Sequence, residues 1–342
     1  MPLQESKYIA VFALIIAVSL WASTFVVLKM ALVVFDPNVI IFGRMFVASI
    51  CFLFLIPRFK KTPIRRQDIK WLLLMAFCEP CMYFVFESHA MIYTSASQAG
   101  MIVAMLPLMM AVSAKFLLGE DVRPMTIFGF CIAVAGGVWL SIGAGSTESS
   151  PDPMLGNFLE FLAMCCAVGY MTILKKMTSR YSSVLITAIQ AFAGTIFYLP
   201  LLALPSTKFP ENFELMPTLS IVYLGIFITI GAYGLYNFGM SRLPANQTTA
   251  FVNLIPVITI FLGWLILGET FSIQEFMAAG LVMLGVFISQ DRGRKKRNPP
   301  TSEKNQDLMN TGSSGSLTPS IKAASPSSLD TASSPSEPTS TL

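Results

Sequence analysis

Glu79, Tyr83 and Glu87 fall at every fourth position of one apolar stretch, WLLLMAFCEPCMYFVFESHAMIY, residues 71–93. In a helix that spacing stacks all three on one face. Two carboxyls on one stripe inside a membrane are costly, so they must face a cavity, share protons or pair with cations. The cations at a similar depth to Glu87 are Lys29 and Arg44; Glu79 has none at its level. Arg44 lies one or two turns inside its own apolar segment, where a cation needs a partner or water, or must snorkel to the interface. A fixed pair of Glu87 with Lys29 or Arg44 is the structural alternative to a chemical role. Burial favours the neutral acid and a neighbouring cation favours the carboxylate. That contrast points to Glu79 as a proton carrier and Glu87 as a gate or salt-bridge residue. Pro80 removes a backbone hydrogen bond and should kink this helix, freeing a carbonyl one turn earlier.

A second polar set lies in the later apolar segments. In GAYGLYNFGMSRL, residues 231–243, Tyr233 and Asn237 share a face, with Tyr236 beside them. Such groups clamp a small polar or aromatic ligand, or serve as interhelical hydrogen bonds. Trp21, Gln98 and Asn253 complete the candidate ligand contacts, with Tyr83. Cys78 and Cys81 form a C-x-x-C, yet all six cysteines lie in apolar segments, where a free Cys behaves as a small apolar residue. A zinc site needs further ligands, and the single histidine, His89, is more than two turns away. No metal and no cofactor are expected, and without a nucleophile–base set neither is an enzyme. Glu120 and Asp121 precede Pro124 as first-turn acids of a helix, Glu160 is read as opening its helix in the same way, and Lys115 is placed to reach headgroups.

The elements that carry these residues are repeated. Ala96 to Glu120, ASQAGMIVAMLPLMMAVSAKFLLGE, returns 149 residues later as ANQTTAFVNLIPVITIFLGWLILGE, Ala245 to Glu269. Trp21 to Lys29 resembles Ala167 to Lys175 at an offset of 146, and at that offset Arg44 meets Gln190. The chain is a duplication. Of its 342 residues 54% are hydrophobic and 12% charged, half the roughly 25% charge of a soluble domain. Ten apolar segments, near 8–31, 37–57, 70–91, 96–118, 124–143, 155–174, 183–204, 217–240, 246–267 and 273–290, are each about long enough to cross a bilayer as a helix. No cleavable signal is expected.

The net charge of +4 is no sign of nucleic-acid binding, because the basic residues flank membrane segments. Arg58, Lys60, Lys61, Arg65, Arg66 and Lys70, then Arg123, Lys175, Lys176, Arg180 and Arg242, and the run Arg292 to Arg297 all share one side. By the positive-inside rule that side, with both termini, is cytoplasmic. Five helices per half is an odd number, so the halves are expected to be inverted. The fold class is thus an all-α polytopic membrane protein of ten transmembrane helices as two inverted five-helix repeats. The first repeat spans 1–145, the second 146–290, and 291–342 holds a basic juxtamembrane run and a Ser/Thr/Pro-rich cytoplasmic tail expected to be disordered.

These features resemble the drug/metabolite transporter superfamily, EamA type. Trp21, Phe25 and Lys29 are similar to its W-x-x-x-F-x-x-x-K opening, Arg44 to its second-helix arginine, and Pro107 and Pro256 to its mid-helix prolines; the likeness covers about residues 8–290. The resemblance implies a secondary carrier of export type in the cell (inner) membrane, moving small metabolites such as amino acids or amphipathic drugs by alternating access. A passive facilitator or channel and a non-transporting scaffold are the rival readings. Phosphate-bearing cargo ranks lower, since helices 8 and 9 offer no cation at mid-depth. Expected partners are a small-molecule substrate, the lipid bilayer and protons, with a homodimer allowed for and nucleic acid excluded.

Overall fold

The computed structural model describes residues 2–55, 63–118, 124–143 and 145–289, all within the unit Met1–Asp291. The basic run and tail after that unit lie outside the described residues, as do Arg58, Lys60, Lys61, Glu120, Asp121, Arg123 and the side chain of Lys115.

Helices α1 (Pro2–Leu32), α2 (Pro37–Leu53), α3 (Arg66–Tyr93), α4 (Ala96–Val103 continued by Leu106–Leu118) and α5 (Pro124–Gly143) make the first half. Helices α6 (Pro153–Met177), α7 (Ser183–Leu201), α8 (Leu215–Arg242), α9 (Ala245–Ala250 continued through Leu254–Leu262 to Leu267) and α10 (Ile273–Ser289) make the second. Eight are long and apolar enough to cross a membrane, and α2 and α10 are shorter apolar helices. Among the described residues there is no strand, only an isolated bridge between Thr147 and Ser150. The outward surface carries large apolar side chains such as Phe12, Phe54, Phe128, Phe227, Phe261 and Phe287, as a lipid-facing exterior requires.

Helix starts follow local chemistry. Asp36 accepts from the backbone N–H of Asn38, with Pro37 in the first turn, and Ser95 and Ser182 cap α4 and α7. Asp152 caps α6 through Leu155 N–H at 3.1 Å, with Pro153 following. This corrects one expectation: α6 begins before 155, so Glu160 does not open the helix but lies about two turns inside it.

Pairing between helices respects the duplication. α2 packs on α7, α4 on α9 and α5 on α10, while α1 packs on α8 as α6 packs on α3. Exchanging the halves returns the same set of pairs. Atomic contacts repeat it too. A Cβ on Gly136 would meet Val282 N at 2.8 Å and Ala278 O at 3.1 Å; one on its repeat mate Gly285 would meet Ala133 N at 2.6 Å and Gly129 O at 2.5 Å. Ala133 and Val282, and Gly129 and Ala278, are themselves mates at the same offset of 149. Across α2 and α7, Ser49 and its mate Thr195 share a 2.9 Å hydrogen bond. These contacts mark a pseudo-two-fold axis between the halves.

Candidate functional site

α3 breaks where the sequence places its carboxyl and proline. Glu79 is extended (φ −150°, ψ 116°), as a residue preceding proline prefers, and Phe77–Met82 is a kink between two helical stretches. The repeat mate α8 carries a π-helical stretch at the matching level, Leu224–Ala232, without a proline. Such turns leave backbone groups to be satisfied from outside. The second half supplies the donors: Gln190 Nε2 bonds Glu79 O at 3.2 Å and Tyr198 OH bonds Cys81 O at 2.9 Å, both from α7.

The break turns Glu79 into a cavity between the halves, lined among others by Trp21, Arg44, Tyr83, Phe84, Glu87 and Tyr233. The cavity offers about 40 Å³ of space, room for about three waters and no more. Glu79 Oε1 accepts from the Tyr233 hydroxyl. Glu87 Oε1 accepts from Tyr83 OH at 2.8 Å. Arg44 donates from Nε to Thr229 Oγ1 at 3.2 Å, and its guanidinium carbon sits 4.1 Å over the Phe84 ring, a favourable cation–π placement. The remaining polar atoms, both Arg44 Nη, Glu79 Oε2, Glu87 Oε2 and Trp21 Nε1, are buried without a hydrogen-bond partner. Arg44 is fully buried and so does not snorkel. Glu87 takes its bond from Tyr83 and pairs with neither Lys29 nor Arg44.

Removing one donor tests how firmly the carboxyls are held. Tyr233→Phe is expected to lower stability by about 1–3 kcal/mol, the cost of leaving a buried polar atom without its partner. Equal thermal unfolding of the variant and the parent chain in detergent would mean that Glu79 does not depend on this hydroxyl.

Other candidates lie away from the cavity. Tyr236 packs its ring 4.6 Å from Trp21, behind the wall. Asn237 is spent on structure, accepting from Tyr170 OH at 2.8 Å and donating to Thr187 Oγ1 at 3.0 Å. Asn253 faces a separate surface hollow with Gly280 and Met283. Lys29 Nζ donates to the carbonyl of Ser149 in the α5–α6 connection. Gln98 joins a polar cluster at that same end: Asn157 Nδ2 donates to Gln98 Oε1 and Ser141 Oγ, each at 3.0 Å, Thr94 donates to Asn157 Oδ1 at 2.7 Å, and Gln98 Nε2 reaches Glu275 at 3.0 Å.

That end also explains one copy of the Leu-Gly-Glu motif. Gly268 takes a left-handed conformation (φ 66°), the usual glycine stop of a helix. The turn sends Glu269 back to the first half, where its carboxylate accepts from Ala96 N–H at 2.9 Å, Ser97 N–H at 3.1 Å and the Ser97 hydroxyl. Glu269 therefore caps the start of α4 across the repeat boundary. At the opposite end Lys175, the mate of Lys29, caps carbonyls of Met240 and Leu243 at 2.6 Å each, and Arg180 pairs with Asp68 at 2.6 Å.

Sequence reasoning passed over Glu160, which is fully buried with neither carboxyl oxygen hydrogen-bonded. The signal was present: Asp152-Pro153 already supplies a cap and first turn, which puts a carboxyl seven residues on into apolar surroundings.

Known proteins carry the same architecture. The model of the EamA-like transporter family matches residues 8–142 and again 154–289. The chain is 24% identical to the uncharacterized transporter YetK of Bacillus subtilis, over 76% of this chain and 80% of that protein. It is 24% identical to a probable terminal-alkyne amino-acid exporter of Streptantibioticus cattleyicolor, over 84% and 96%. To the S-adenosylmethionine/S-adenosylhomocysteine transporter of Chlamydia muridarum it is 27% identical, over 81% and 90%. With both five-helix halves matched by one transporter model, the chain belongs to the EamA-like transporter family and is a membrane transporter rather than an enzyme.

Proposed function

We propose that the protein is a proton-coupled secondary carrier of the cytoplasmic membrane that exports small metabolites bearing an amino-acid head group, with both termini in the cytoplasm. The observation that carries this reading is the unspent hydrogen-bonding capacity of the cavity. Arg44, with two unpartnered guanidinium nitrogens, and Glu79 and Glu87, each with an unpartnered oxygen, line one cavity with Trp21, Phe84 and Tyr233. Widened during the transport cycle, such a site suits a zwitterion, its carboxylate on Arg44 and its ammonium on a glutamate, with an apolar side chain among the rings. Two of the relatives are named for amino-acid cargo or for S-adenosylmethionine, which ends in the same head group. The cluster of Glu269, Gln98, Asn157 and Lys29 is the outer gate on this reading, and substrate leaves when it parts. Coupling follows if an entering ammonium takes the place of a proton on Glu79.

Transport by purified protein in liposomes tests it, with pooled amino acids and their amphipathic derivatives and an imposed pH gradient. Uptake of one class should accelerate with the gradient, and Glu79→Gln should remove that acceleration by about tenfold or more. Movement that ignores the gradient would make the protein a facilitator and Glu79 a structural residue. No movement of any pool would favour the scaffold reading.

A further inference from the structure

Among the described residues, the charged side chains buried in the core around the cavity are Arg44, Glu79, Glu87 and Glu160. Asp68 is buried as well, but it is matched by Arg180 and by Tyr181 OH at 2.9 Å, near one end of the molecule. The core therefore sets three carboxyls against one guanidinium. Three carboxylates and one cation would leave two uncompensated negative charges in surroundings of low dielectric, which a core of this size does not tolerate. Neutrality needs two protons.

Glu160 is the carboxyl least able to do without one. Glu79 and Glu87 each accept a tyrosine hydroxyl and lie within electrostatic reach of Arg44. Glu160 accepts nothing on either oxygen. The charged group that acts on it is Glu87 of α3, of its own sign, with Tyr83 of the same helix also in reach. From the other helices packed nearby the polar neighbours at this end are Gln98 of α4 and Ser141 of α5, with the charged groups Glu275 of α10, bonded to Gln98 at 3.0 Å, Glu269 after α9 and Lys29 of α1 beyond them, and on α6 itself they are Asn157 and, further along, Tyr170. Asn157 stands one turn from Glu160, between it and the surface, and is tied to three helices at once through Thr94, Gln98 and Ser141.

We propose that Glu160 is a third proton-holding carboxyl of this carrier, which keeps its proton while the Asn157 cluster is closed and exchanges it with the outer solution when that cluster opens. The inference rests on the proton-coupled reading above and extends it: the transporter cycles with a proton store of its own on the exit side, besides the carboxyl that meets substrate. No cofactor or additional reactant is involved. The proton leaves a carboxylic acid for water, and the carboxylate regains it before the cluster closes.

Infrared absorption of the full chain in phosphatidylcholine liposomes at neutral pH separates the carbonyl stretch of a protonated carboxyl from that of a carboxylate, with no substrate needed. With two protons on three carboxyls, Glu160→Gln should lower the protonated band by about half. Asn157→Ala should speed hydrogen–deuterium exchange of the part of the band that Glu160→Gln removes, by about tenfold or more. If the amide variant does not accumulate, Glu160→Asp keeps the proton and should shift the band without removing it. A band that neither shrinks in the first variant nor shifts in the aspartate variant overturns the proposal, as does exchange that ignores Asn157. Because nothing here reads transport, a failed Glu79→Gln result and a failed Glu160 result are told apart.

Discussion

Arg44→Leu should cost about 3–5 kcal/mol of stability, the usual loss when a buried charge set is stripped of its counter-charge, and the loss should shrink in acid. The guanidinium is the cation of a core that holds Glu79, Glu87 and Glu160, all buried. Without it the folded state can keep those carboxyls only by protonating them, whereas the unfolded chain leaves them ionised in water at neutral pH. The folded variant thus binds more protons than its unfolded form, and its stability falls as pH rises. Thermal unfolding in detergent at about pH 5 and about pH 8 reads this directly, with the parent chain showing the shallower dependence. Arg44→Lys should lie between the two, since it keeps the charge but loses the planar fork stacked on Phe84. A leucine variant with the parent's pH slope would mean that the carboxyls never leaned on Arg44.

Gly136→Leu and Gly285→Leu should be about equally damaging, each by about 3 kcal/mol, the upper range for overpacking. At both positions an added Cβ runs into the backbone of the opposing helix, at 2.8 Å and 2.5 Å respectively, and backbone cannot step aside as a side-chain tip can. The equality is the informative part. The two glycines are repeat mates facing each other's helices, so each substitution should part α5 from α10 in the same way. Folded yield and midpoint of unfolding in detergent measure it. A variant that is harmless at one position and ruinous at the other would show that the α5–α10 contact is not shared symmetrically.

Helix number, approximate limits and the duplication were legible in the sequence, because apolar runs of crossing length are insensitive to detail and a repeated Leu-Gly-Glu announces itself. Glu79, Tyr83 and Glu87 were legible as a set for the same reason: charge in an apolar run stands out. Their partners were not. Nothing in the spacing of Tyr233, Thr229 or Gln190 says that one meets a carboxyl, another a guanidinium and the third the Glu79 carbonyl at the break. Those are contacts between helices more than a hundred residues apart, and only packing decides them. Gln98 and Asn237 show the converse. They have the chemistry of ligand contacts, and their amides are engaged in hydrogen bonds between helices. Glu160 was misread because a carboxyl near a helix start has an ordinary explanation, and the cap that removed it, Asp152, stood eight residues earlier.

The polar groups around the break lean on the other half. Glu79, Cys81 and Arg44 belong to the first half, while their hydrogen-bond partners Tyr233, Gln190, Tyr198 and Thr229 come from the second. At the mates of Arg44 and Glu87 the second half has Gln190 and Tyr236. One half has become the solute and the other its solvent. Two copies of the first half would crowd four carboxyls around two guanidinium groups and provide no donors for the opened helix turns; two copies of the second would bury two Glu160 carboxyls with no cation beside them. A chain that began as two interchangeable parts now has two that cannot replace each other.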